Sequence, residues 1–146
     1  EGLAEVVRRR LRSAAADPEH RLHAAIEAFV GTQAGVEAQA VACWVVIGAE
    51  AVRQPEVREL YESVMRQVLS EFEAIFRDAM QKQGGSAAGS PAAALATVAA
   101  IEGFFRLGAG APACVPPGAA AGVVRAIADA TGGAASTARG EMVSAR

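Results

Sequence analysis

An all-helical protein is expected from three features of the sequence. Of the 146 residues, 36 are alanine, the strongest intrinsic helix former, and only 5% are aromatic. No window alternates apolar and polar side chains as a half-buried strand does, and apolar residues recur instead at spacings of three and four. A hydrophobic share of 52% at this length suits one domain with its own core. The expected architecture is a six-helix antiparallel bundle over residues 1–133, with residues 134–146, poor in large apolar side chains, as a disordered tail.

The elements follow in order. Leu3, Val6, Val7 and Leu11 sit at helical spacing, so a first helix is expected over 2–16. Asp17-Pro18-Glu19 reads as a helix start, with Asp17 as N-cap and Pro18 at the first helical position. The second helix runs to about Gln33 and buries Leu22, Ile26, Phe29 and Val30. In the third, about Val36 to Gln54, Val41, Trp44, Val45, Val46, Ile47 and Val52 point all round the axis, which predicts a central helix. Pro55 ends it and starts the fourth, whose apolar stripe from Val57 to Ala79 extends over about 25 residues, a rod of roughly 38 Å. Glu62 with Arg66 and Glu73 with Arg77 form acid-before-base pairs on its outer face. The run from Gly84 to Gly89 is expected to be a flexible linker, after which Ser90 caps a fifth helix reaching about Leu107. A proline-containing loop from Gly108 to Gly118 leads to the sixth, which Thr131-Gly132-Gly133 is expected to end.

Charge and composition exclude several functions. With 14 basic and 16 acidic residues the net charge is -2, and the one cationic cluster, Arg8 to Arg12, is short, so this chain is not expected to bind DNA. Two cysteines are too few for a disulfide framework, and the uncharged stretch between Glu37 and Glu50 is too short to span a bilayer. A cytoplasmic setting without membrane contact is expected. No phosphate loop, nucleophile elbow or paired-cysteine motif occurs, and neither catalysis nor a cofactor is expected. His20, His23 and Glu27 share a helical stripe, but no further ligand completes a metal site, so no metal is expected. Cys43 is expected to be packed in the core and Cys114 to be an exposed thiol in a loop.

The binding candidates are aromatic. Phe29, Trp44, Tyr61, Met65, Phe72, Phe104 and Phe105 hold most of the bulky side-chain area, and in an alanine-rich bundle they either fill the core or line a cavity. Glu50 is the one acid between Val41 and Val52. In an apolar helix it is either an ion-pair partner of an arginine such as Arg53 or Arg106, or a polar anchor in a ligand pocket. Glu102 and Arg106, four apart, can pair within their helix or across a two-fold axis. Leu95, Val98, Phe105, Val123, Val124 and Ile127 exceed what the preceding helices can cover, and the small residues among them suit a close helix seam.

The segment Cys43-Trp44-Val45-Val46-Ile47-Gly48-Ala49-Glu50-Ala51-Val52-Arg53-Gln54-Pro55-Glu56-Val57-Arg58-Glu59-Leu60-Tyr61 resembles the W…A…A-R-x-P-x-L-R-x-x-Y pattern of TetR-family transcriptional regulators. The order of helices resembles the C-terminal domain of that family, most closely its BetI-type subgroup. The resemblance implies a ligand-binding and dimerisation domain of a regulator, a repressor by analogy. The last two helices of each subunit would form a four-helix dimer interface, here Leu95, Val98, Glu102, Arg106, Val123, Val124 and Ile127. DNA would be contacted only through an N-terminal helix-turn-helix domain absent from this chain. The pocket set is then Phe29, Trp44, Glu50, Tyr61, Met65, Phe72, Phe104 and Phe105, for a small, mostly apolar or cationic effector such as the quaternary amine sensed by some BetI-like regulators. The competing readings are a ligand-free helical interaction module and an all-α enzyme using His23 and Glu50.

Overall fold

The computed structural model of the chain describes residues 18–31 and 36–137. Five α-helices follow one another: α1 (Pro18–Val30), α2 (Val36–Ala51), α3 (Pro55–Lys82), α4 (Ser90–Gly110) and α5 (Ala119–Thr137), with 3-10 turns at Ala87–Gly89 and Pro112–Cys114. No strand occurs among the described residues. The helix expected over 2–16, the arginine cluster within it, the Asp17 cap, the approach to Gln33 and the end of the expected tail lie outside the described residues.

The α2–α3 corner is fixed by local chemistry. Gln54 is extended (φ -117°, ψ 114°), as a residue before proline must be, and Pro55 opens α3. Arg58 reaches back from the first turn of α3, where its Nε donates to the Ala51 carbonyl and its Nη2 to that of Val52, each at 2.9 Å. The terminal carbonyls of α2, which have no partner within the helix, are thereby satisfied by a cation at the negative end of its dipole.

Several boundaries differ from expectation: α1 already ends at Val30, and α4 runs past Leu107 to Gly110. The Gly84–Gly89 run is not a bare linker: the Ser86 hydroxyl accepts from the Ala88 N–H at 3.2 Å and caps a 3-10 turn leading directly into α4. Ser90 is therefore the first helical residue, 1% exposed, and not the cap. Gly132 and Gly133 do not stop α5, which continues to Thr137. Gly132 lies against the Phe76 ring, where an added Cβ would sit 3.4 Å from the ring edge, so here the missing side chain serves close packing.

The central helix is α4, not α2. It packs against all four other described helices, whereas α2 packs mainly on α3 and α4. The reason is size: Ala93, Ala94 and Thr97, all under 2% exposed, let neighbouring backbones approach α4 on several sides. On α2, Val41 and Ala51 are buried, but Val46 is 61% and Ile47 39% exposed, and Cys43, expected inside, is exposed. The stripe of α3 likewise turns inward only in its second half, at Phe72, Ile75, Phe76, Ala79 and Met80, while Leu60 stays exposed. With the turn before it, α4 (Ala87–Gly110, 24 residues) is long and apolar enough to cross a membrane by length and composition, a run missed when only the Glu37–Glu50 stretch is considered. Its core face is buried within the domain, from Ser90 and Ala93 to Ile101 and Phe105.

Ion pairs tie α1 down at its rim. Arg21 meets Asp78 of α3 at 2.9 Å and Glu27 meets Arg125 of α5 at 2.8 Å, while His23 lies 3.5 Å from Asp129. These groups are partly exposed, so each contributes at most about 1 kcal/mol. The expected Glu62–Arg66 and Glu73–Arg77 pairs are both present on the outer face of α3.

Candidate functional site

The corner between α2 and α3 places two aromatic rings in register. Trp44 and Tyr61 stack with centroids 4.7 Å apart and planes inclined by 26°. Gly48, one turn after Trp44, gives the tyrosine its place, because a Cβ there would lie 3.3 Å from the Tyr61 ring. Glu102 of α4 completes the arrangement: the indole Nε1–H donates to its Oε1 and the Tyr61 hydroxyl to its Oε2, each at 2.9 Å. One carboxylate thus joins three helices through both oxygens.

Beside it lies an open cleft of about 290 Å³, lined by Trp44, Val45, Gly48, Ala49, Tyr61, Glu102, Gly103 and Arg106. Both donors to Glu102 are neutral, so its negative charge is hydrogen-bonded but not cancelled. Arg106, one turn further along α4, is exposed and makes no ion pair among the described residues. Burial, the hydrogen bond to Glu102 and the charge of that carboxylate, in that order, push the Tyr61 hydroxyl well above its ordinary value of 10.

Because the folded hydroxyl ionises later than the unfolded one, the folded state holds its proton in a range where the unfolded state has released it. Stability should therefore be unaffected by this group below about pH 10 and fall as the pH rises above it. Tyr61 is the sole tyrosine, so tyrosinate absorbance reads it directly. Ionisation is expected only above the ordinary range, together with unfolding, and Glu102→Ala should bring it back towards 10. A reversible titration at the ordinary value in the folded wild type would contradict this.

The other sequence candidates are placed as follows. Glu50 does not line the cleft: its Oε2 accepts from Gln54 Nε2 at 2.7 Å, one turn along the chain, and it pairs with neither Arg53 nor Arg106. Phe72 and Phe105, each 1% exposed, fill the core, and Phe29 packs on both with centroid separations of 5.7 and 6.4 Å. Met65 is half-buried against the same core, and Phe104 faces a different cavity. Of the residues assigned to a dimer seam, Leu95 (60%) and Val123 (45%) are exposed, as is Arg106, and Ile127 is half-buried. Val98 (3%) and Val124 (0%) are enclosed by their own chain, and Glu102 is engaged by Trp44 and Tyr61. Among the described residues no group of three metal-ligating side chains is brought together. His23 and Glu27 face α5 instead, and Cys114 is exposed on its turn.

Glu102 as the cleft's carboxylate was missed, although the sequence held a signal for it. It is the one charged residue between Lys82 and Arg106, the same argument that singled out Glu50.

Taken together, these features define an all-helical domain with an aromatic, carboxylate-bearing cleft where three helices meet. The family model described as "BetI-type transcriptional repressor, C-terminal" matches residues 18–133, and the chain belongs to that family: it is a regulatory domain of the TetR type of transcriptional regulator. No curated protein and no solved structure matches it.

Proposed function

We propose that the chain is the effector-sensing and dimerisation domain of a TetR-like repressor, cytoplasmic and without catalysis, with its effector held in the Trp44 cleft. DNA is then contacted through a helix-turn-helix domain outside this sequence. The observation that carries the reading is Glu102, a charged carboxylate spanning two stacked rings at the wall of an open cleft. Aromatic faces and a carboxylate both attract a positive group, so the effector is small and mostly apolar or aromatic, with a cationic end.

The dimer is assigned to the outer faces of α4 and α5. Leu95 and Val123 are exposed there among Ala92, Ala99, Gly122 and Ala126, small residues that allow close approach. The cleft and this face share α4. An effector that binds one α4 position better than another shifts the dimer geometry by that difference in affinity, and no more.

Trp44 is the sole tryptophan, so its fluorescence reports the cleft without ambiguity. Benzyltrimethylammonium should give a saturable change in emission, and its uncharged isostere neopentylbenzene a weaker one. Absence of a saturable response to either compound would refute the cleft as an effector site.

A further inference from the structure

A second cavity, of about 490 Å³, lies where the end of α1, the start of α2, the end of α4 and the turn before α5 come together. Its chemistry is unlike that of the Trp44 cleft. Among the described residues its wall is built from Val30, Val41, Phe104, Val115, Ala120 and three prolines, with glycine and alanine between them, and none of these lining side chains is polar. We propose that this cavity is a separate binding site for a small, uncharged lipophilic molecule.

Three observations carry the assignment. The volume falls in the range of small-molecule pockets, about 300–1,000 Å³, and the feature is a pit among helix ends, not the continuous stripe a docking helix covers. A charged ligand would lose its hydration there and find no charged side chain among the described lining residues, whereas an uncharged apolar one loses mainly unfavourable contact with water. The wall on the side of the turn before α5 is also preformed. Pro112, Pro116 and Pro117 fix their own φ angles, and the turn is closed by bonds from the Cys114 N–H to the Ala111 carbonyl (2.9 Å) and from the Val115 N–H to that of Pro112 (3.2 Å). Little ordering cost then opposes binding.

The site adjoins the cleft through shared helices. Val41 is one turn before Trp44 on α2, and Phe104 is two residues from Glu102 on α4. An occupant that moved α2 relative to α4 would strain the Trp44–Glu102 hydrogen bond, and each ligand would then alter the other's affinity by the same factor.

The test uses the 146-residue chain and N-phenyl-1-naphthylamine, an uncharged dye that brightens in apolar surroundings. Saturable binding of one dye per chain is expected, with 1-octanol displacing it and octanoate failing to at the same concentration. Ala38 and Ala109 line the cavity from exposed helical positions, so Ala38→Phe and Ala109→Phe fill it without entering the core. Each should weaken the dye by at least about tenfold at an unchanged melting temperature, while Glu102→Gln leaves dye binding intact. Non-saturable uptake, equal competition by octanoate, or loss of dye in Glu102→Gln but not in either cavity variant would overturn the proposal. So would an Ala38→Phe variant that keeps the dye but changes the sedimented mass, which would make the pit a contact between copies. The quaternary-amine titration can fail while this result stands, and the reverse, because the cavity variants and Glu102→Gln address different walls.

Discussion

Val124→Glu is expected to abolish cooperative folding, whereas the same change at the neighbouring residue, Val123→Glu, leaves the domain folded and converts the proposed dimer into a monomer. Val124 is 0% exposed, packed in the core beside Ala121 and Ala128. A carboxylate there would sit among apolar side chains, and burying it costs several kcal/mol even after it takes up a proton, a large part of the roughly 5–15 kcal/mol that holds a domain together. Val123 is 45% exposed and points outward from α5, so an added charge meets solvent in one subunit and an apolar partner only across the proposed seam. Far-UV circular dichroism on heating should show no transition for the first variant and a near-normal one for the second. Sedimentation should give the single-chain mass for Val123→Glu. A folded Val124→Glu protein, or a Val123→Glu protein with the wild-type mass when the wild type is dimeric, would refute the respective half.

Glu102→Ala should loosen the domain and leave the cleft without its charge. The change strips the acceptor from two part-buried donors, the Trp44 indole N–H and the Tyr61 hydroxyl. Leaving such groups without a partner costs about 1–3 kcal/mol each in a closed site. The open cleft lets water replace part of that, so a total of about 2 kcal/mol is expected, a fall in melting temperature of roughly 4–8 °C for a domain of this size. The emission of Trp44 should move to longer wavelength as water reaches the indole. Glu102→Gln separates charge from packing: it retains a carbonyl to accept from Trp44, so the melting temperature should fall less, while benzyltrimethylammonium binding weakens and neopentylbenzene binding does not. If both variants bind the cation like the wild type, Glu102 is a structural tie and nothing more.

Helix existence was legible in the sequence because it depends on local properties. Pro55 and Pro91 sit at helix starts, and the spacing from Val57 to Ala79 could build nothing but a long rod. Relative position was not legible to the same degree. The all-round apolar α2 has the composition of a central helix, but the alanine-rich α4 takes that place because backbone approach depends on how little a side chain projects, which hydrophobicity does not record. The phase of α5 posed the same difficulty. Val123 and Val124 are chemically identical, and only the rotation of the helix decides that one is enclosed and the other exposed. At the site, the two rings were identified and the acid was not. Glu50 and Glu102 both stand alone in apolar helices, and what separates them is that α4 crosses the α2–α3 corner at Glu102, a long-range fact with no local trace.

The Arg58 fork onto Ala51 and Val52 joins α2 and α3 into an elbow that tilts as one piece, with α3 as its lever arm. With 28 residues, α3 is about 42 Å long, so a tilt of only about 5° at the elbow carries its far end by about 4 Å. That far end bears Asp78, gripped by Arg21 near the start of α1. A tilt of that elbow against α4 would be largest at the opposite end of the rod, where it would reach α1 through the Arg21–Asp78 ion pair.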